Sequence, residues 1–128
     1  MSEPPPAIVA AVSQYVDVLA PLTPAFAELK EKAVWLFKPK GAALPDGLQY
    51  GEPKACHANA QLATVRNPTL RILVGLACTT DLVFPVAHSA NLTESGTVVD
   101  TSPGFSDYDT WYFVACVQEN VAREATKR

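Results

Sequence analysis

The stretch Glu52-Pro53-Lys54-Ala55-Cys56-His57-Ala58-Asn59-Ala60 runs a proline-marked loop into an alanine-rich helix with a cysteine in its first turn. A thiol placed there faces the positive end of the helix dipole and the unpaired N–H groups of the first turn. Both favour the thiolate, the reactive form. Cys56 therefore reads as a candidate nucleophile, and the rest of the chain is read for a base that could serve it. The same stretch divides the chain: helical spacing dominates before it and β-rich segments follow.

Upstream, Ile8, Val9, Val12, Tyr15, Val16 and Leu19 recur at helical spacing and predict an amphipathic helix that stops near Pro21. Thr23-Pro24 offers an N-cap with proline at the first helical position. The apolar series Phe26, Leu29, Ala33, Val34, Leu36 and Phe37 predicts a second helix running to the Lys38-Pro39 break, with Trp35 and Phe37 as core material. Residues 39–54 are rich in Gly and Pro and predict a long loop that would form one wall of a groove. The cysteine helix ends at Asn67-Pro68.

Downstream, residues 69–78 and 82–92 are β-rich, the second with Pro85 where a bulge or sheet edge would tolerate it. Residues 97–100 and 111–117 predict third and fourth strands, and residues 118–128 a short helix. The fold class expected is α+β: two N-terminal helices and a cysteine-bearing helix packed on an antiparallel sheet of about four strands, in one domain over residues 1–128.

His88 lies on the second strand, and Asp100 follows twelve residues later across the turn signal Glu94-Ser95-Gly96. A two-residue turn would put the pair on opposite faces. A three-residue turn with Gly96 in the left-handed conformation sets Asp100 opposite Ala90, which makes His88 and Asp100 diagonal neighbours on one face, with Cα atoms about 7–8 Å apart. Imidazole and carboxylate can then hydrogen-bond. In that register the chemistry is acyl transfer. The Cys56 thiolate attacks an acyl carbon, His88 moves the proton, Asp100 holds the imidazole tautomer, and the Cys56 N–H serves the oxyanion.

Cys-x-x-Asn-Ala on a helix, Pro-x-x-His on a strand and Gly-x-Val-Val-Asp on the next resemble the papain-like cysteine peptidase superfamily in its compact bacterial NlpC-type form. They also resemble a group of small bacterial and phage proteins of unassigned function. The resemblance spans residues 51–117 and leaves the N-terminal part, residues 1–38, uncovered. It implies Cys56, His88 and Asp100 in catalytic order and Gln49 as an upstream oxyanion donor; Asn59, one turn on from Cys56, reads either as capping or lining the site or as packing. It also implies a peptide or acyl-conjugate substrate, of which peptidoglycan-type peptides are one class. Two departures lie near the site: Ala90 stands where an aromatic residue is usual, and the proline expected after the aspartate is delayed to Pro103.

Other readings compete. Cys56 alone would be a buried small hydrophobe, His88 a satisfied core histidine, and Asp100 a strand-end cap. A noncatalytic protein- or peptide-binding module on the same scaffold is the alternative function. Zinc held by Cys56, His88 and Asp100 would want a fourth ligand that the sequence does not offer, so no metal or cofactor is called for. His57 points roughly 100° around the helix from Cys56 and suits a surface or interface role. Cys78 and Cys116 sit in apolar strands as core residues, and Asp107-Tyr108-Asp109 reads as a solvated turn.

Composition bounds the rest. A 128-residue chain with 48% apolar and 18% charged residues can bury a core without disulfides. A net charge of −3 without a basic stripe argues against nucleic acid and anionic membrane as partners. Three cysteines without a CxxC spacing, and a start without a basic n-region, predict a reducing, cytoplasmic setting, with phage or prophage origin compatible.

Overall fold

The structure is a computed structural model that describes residues 3–81 and 83–118, apart from the side chains of residues 116–118. Helix α1 (Pro6–Leu19) begins with proline in its first turn and buries Ile8, Val12 and Val16, one residue per turn on a single stripe. Helix α2 (Pro24–Lys32) is capped by Thr23, whose Oγ1 accepts from the Phe26 N–H at 3.1 Å.

The second helix is shorter than its apolar spacing predicts. It stops at Lys32, Ala33 is extended, and the chain continues as strand β1 (Val34–Lys38). The segment Val-Trp-Leu-Phe satisfies both periods. Taken as a strand, its β-branched and aromatic residues stack across the sheet, with Trp35 4.7 Å from Phe113 and Phe37 4.6 Å from Trp111, ring centre to ring centre. That cross-strand packing outweighs a helical preference that is weak for these residue types.

After helix α3 (Cys56–Arg66) come β2 (Arg71–Thr79), β3 (Val86–Leu92), β4 (Val98–Val99), a 3₁₀ turn (Phe105–Asp107) and β5 (Thr110–Gln118). The expected four strands are present with shifted ends: β3 starts just after Pro85 rather than at residue 82, β4 is cut to two residues, and β5 gains one residue at each end. With β1 the antiparallel sheet has five strands in the order β1-β5-β2-β3-β4. Residues 1–38, expected to be helical, also supply an edge strand of the sheet. The helix expected over residues 118–128 falls outside the described residues except for Gln118, which ends β5.

Each face of the sheet has its own core. Ile8, Val12, Val16 and Leu29 of the first two helices pack on Leu76, Cys78 and Trp111. On the other face the sheet curls until its edge strands β1 and β4 meet. Leu73, Ala77, Ala90, Leu92, Val98, Tyr112 and Val114 fill the curl, with Leu36 and Phe105 against them. Gly75 sits at the β2/β5 bulge that helps this bending, directly across from His88. A β-carbon there would collide with the Phe113 carbonyl and with Val114. Among the described residues no helix is long and apolar enough to cross a membrane.

Gly75→Ala is expected to cost about 2 kcal/mol through overpacking against strand backbone, read as a lowered urea midpoint. An unchanged midpoint would show that the bulge tolerates a side chain.

Candidate functional site

The β3–β4 hairpin adopts the three-residue turn. Thr93 N–H donates to the Thr97 carbonyl at 2.9 Å, Gly96 N–H returns to the Thr93 carbonyl at 3.0 Å, and Gly96 has φ 90°. Asn91 pairs with Val99 and Leu92 with Val98, a register that continued by one residue sets Asp100 opposite Ala90. The diagonal pair meets: His88 Nε2 lies 2.8 Å from Asp100 Oδ2, with the two side chains 4% and 0% exposed.

The Asp100 carboxylate has two further donors. Tyr112 Oη donates to Oδ2 at 2.7 Å and the Ser102 N–H to Oδ1 at 3.0 Å. A carboxylate only accepts, so the His88 proton belongs on Nε2 and Nδ1 is left with a lone pair. Among the described residues no group hydrogen-bonds Nδ1. Burial pushes the Tyr112 phenol well above its ordinary value, and the Asp100 charge and hydrogen bond add to the shift. Tyr112 is thus held as a donor.

Two more residues close the inner face. The Phe105 ring covers His88, with centroids 4.2 Å apart and planes 30° apart. Lys38, buried at the end of β1, donates from Nζ to the Phe105 carbonyl at 3.0 Å. Burial lowers the Lys38 pKa, and the charges of Asp100 and Asp109 oppose that shift.

Cys56 is the first residue of α3 and is half-buried. Ala55 in the N-cap position offers no side-chain cap, so the first-turn N–H groups are not satisfied from there. The loop before the helix is fixed by Asn59. Its Oδ1 accepts from the Glu52 N–H at 3.1 Å, and its Nδ2 donates to the Glu52 carbonyl at 2.8 Å. Gly51 N–H donates to the Thr101 carbonyl at 2.9 Å, and any β-carbon on Gly51 would strike the Asn59 amide. Asn59 is thereby a buried latch holding the approach to Cys56, with both ends of its amide engaged.

Helix α3 docks on the β3 face opposite to His88. His57 Nδ1 lies 3.3 Å from Ser89 Oγ, and Asn91 Nδ2 donates to the Ala60 carbonyl at 3.0 Å. His57 is exposed and also lies 3.3 Å from Gln61 Nε2 through its own Nε2. β3 therefore carries the cysteine helix on one side and the His88–Asp100–Tyr112 unit on the other. β4 pairs with Asn91 and Leu92, and among the described residues no strand lies beside the rest of that β3 edge.

The structure joins His88 to Asp100, but it does not join Cys56 to them by a hydrogen bond: among the described residues the thiol has none. Nor are any three of the described His, Cys, Asp and Glu residues gathered closely enough to hold a metal ion. Gln49 is exposed and lines a small cavity together with Asn59, Leu62, Ala63 and Arg66 of α3 and with Thr101. Cys78 is buried on the outer face, where burial raises its pKa, and the Cys116 side chain lies outside the described residues. Sequence reading missed Tyr112, Phe105 and Lys38. For Tyr112 a signal existed: a tyrosine on the inner face of a strand must find a partner for its hydroxyl.

A scan against protein-family models finds no match, and searches of curated proteins and of solved structures return no significant similarity. The described residues define an α+β arrangement of three α-helices and a curled five-stranded antiparallel sheet enclosing a His–Asp–Tyr unit.

Tyr112→Phe removes a hydrogen bond to a buried carboxylate and is expected to cost about 1.5–3 kcal/mol at neutral pH. The substitution also has a pH signature. With the folded pKa above the unfolded one, the unfolded chain releases the phenol proton first, so stability falls as pH rises from about 10 towards the folded value. Tyr112→Phe removes this residue's share of the decline. Denaturant midpoints measured from pH 7 to 11 check both effects.

Proposed function

We propose that the protein is a thiol-dependent hydrolase or acyltransferase of papain-like type, forming an acyl-enzyme on Cys56. The observation that carries this reading is the 2.8 Å bond between His88 Nε2 and Asp100 Oδ2, which leaves Nδ1 as the basic nitrogen. The strand bearing His88 also bears, through Ser89, the first turn of the cysteine helix.

In this reading the first turn of α3 and His88, which lie on opposite faces of β3, come together around the β3 edge, Nδ1 takes the Cys56 proton, and the thiolate adds to the acyl carbon of an amide or ester. The Cys56 N–H and the other first-turn N–H groups stabilise the oxyanion, a role for which they are better placed than Gln49. Collapse of the tetrahedral species breaks the acyl–nitrogen or acyl–oxygen bond, and His88 returns its proton to the leaving group. Water, or an acceptor amine, then releases the acyl group from sulfur, with Nδ1 again taking the proton. Asp100 offsets the imidazolium charge at each stage, and Tyr112 keeps the carboxylate from rotating away. An extended peptide or an acyl conjugate is the substrate class. The family resemblance suggests peptidoglycan-type peptides as one form of it.

One observation favours a second reading. Cys56 makes no hydrogen bond to His88, whose ring is buried beneath Phe105. A noncatalytic peptide- or protein-binding module would use the His88–Asp100–Tyr112 unit only as a bolt across the curled sheet.

Iodoacetamide labelling separates the two. The catalytic reading expects Cys56 to alkylate roughly tenfold faster than a free thiol at neutral pH and His88→Ala to remove most of that advantage. Cys78 should stay unlabelled in the folded protein. A Cys56 rate equal to that of a free thiol and indifferent to His88→Ala would leave the binding module.

A further inference from the structure

We infer that Lys38, at the end of β1 in the part of the chain outside the family resemblance, is a positioning residue for His88 and acts through Phe105. This deepens the catalytic reading, on which its functional meaning rests, but the geometry concerns the imidazole alone. Lys38 Nζ donates to the Phe105 carbonyl at 3.0 Å. The ring of that same residue covers His88 at 4.2 Å. A buried lysine with its ammonium directed at one carbonyl holds that residue's backbone in place, because releasing the carbonyl would leave the buried ammonium with one donor bond fewer.

The neighbouring residues hold the same turn. The Lys40 N–H donates to Asp109 Oδ1 at 2.7 Å, and the Gly41 N–H to the Ser106 carbonyl at 2.9 Å. The segment from Lys38 to Gly41 thus grips residues 105–109 at three points. The rest of the turn is held by the Thr80 N–H, which donates to the Asp109 carbonyl at 3.1 Å, and by Phe105 packing on the inner core, while Gly104 just before it is exposed with φ 99° and its outer side borders an open cleft of about 410 Å³ lined by Thr79, Asp81 and Tyr108. Without the tie, Phe105 could swing toward that cleft and uncover the imidazole. In place, it stacks on the imidazole and holds it against Asp100, its hydrogen-bond partner. The residues read from sequence as a solvated turn before β5 are, on this view, what positions the base.

Diethyl pyrocarbonate, which acylates accessible imidazole nitrogen, tests this on the full chain with mass-spectrometric mapping. Exposed His57 in the same molecule is the internal reference. In the unsubstituted protein His88 is expected to react at least roughly tenfold more slowly than His57, the protection that burial under a held turn confers. Lys38→Met and Phe105→Ala should each bring His88 to within about threefold of His57. The double variant should react no faster than Phe105→Ala, since the two act in series. Lys38→Arg, which keeps a charged donor, should restore protection and the ring-current shift of the His88 carbon-bound protons that Lys38→Met loses. The inference is overturned if Lys38→Met leaves His88 as protected as before, or if the double variant shows the full product of the single effects. Should Lys38→Met fail to fold, Asp109→Ala, which cuts the tie to Lys40, takes its place, and unchanged His88 protection then overturns the inference. Because the reagent reads the imidazole and not the thiol, a failure of the acyl-enzyme reading leaves this outcome unaffected.

Discussion

The register of one hairpin governs the interior of this protein. Gly96, in a backbone conformation that glycine adopts without strain, closes a three-residue turn between β3 and β4. One residue more or fewer would turn Asp100 to the opposite face, because side chains alternate along a strand. In the observed register the carboxylate enters the curl of the sheet beside His88, where Tyr112 and the Ser102 N–H also reach it. A carboxylate so deeply buried is tolerated only because these donors replace water, with the Lys38 charge nearby. The curl, the missing side chain at Gly75 and the stacked Phe105 complete a shell around that hydrogen-bonded unit.

The unit makes the protein more than a packed sheet, and it also defines the open question about Cys56. In the neutral ring Asp100 fixes Nε2 as the protonated nitrogen, and no described group hydrogen-bonds Nδ1. Asn59 fixes the loop that delivers the cysteine to the start of α3. The two halves meet on β3, one through Ser89 and the other through His88, on opposite faces of the same strand. Passage between them lies around the β3 edge that β4 leaves bare. A catalytic assembly would have to form there, and Phe105 and its tether from β1 stand at its inner side.

Much of this was legible in the sequence, for reasons of periodicity. Residues 88, 90 and 92 alternate cleanly, and Glu94-Ser95-Gly96 admits few turn geometries, so the His88–Asp100 pairing followed from spacing. The α+β class and the positions of four strands followed from β-branched runs bounded by turn residues. Residues 34–37 were misread because Val-Trp-Leu-Phe fits a helical stripe and a strand equally well. Only contact with β5, some eighty residues on, decides between them. Lys38, Phe105 and Tyr112 escaped notice for the same reason: each acquires its role from partners far away in sequence. Asn59 was visible as a polar residue one turn from Cys56, but its engagement with Glu52 depends on the path of a loop that spacing cannot specify.

The central claim is that Asp100 holds His88 with its proton on Nε2 and a free Nδ1. Long-range ¹H–¹⁵N correlation spectra of the imidazole nitrogens, recorded on the ¹⁵N-labelled protein, read that tautomer directly. His88 is expected to show a protonated Nε2 and an unprotonated Nδ1, with the pattern lost in Asp100→Ala. A His88 protonated on Nδ1 with Nε2 bare, or a mixture of the two tautomers, would contradict it.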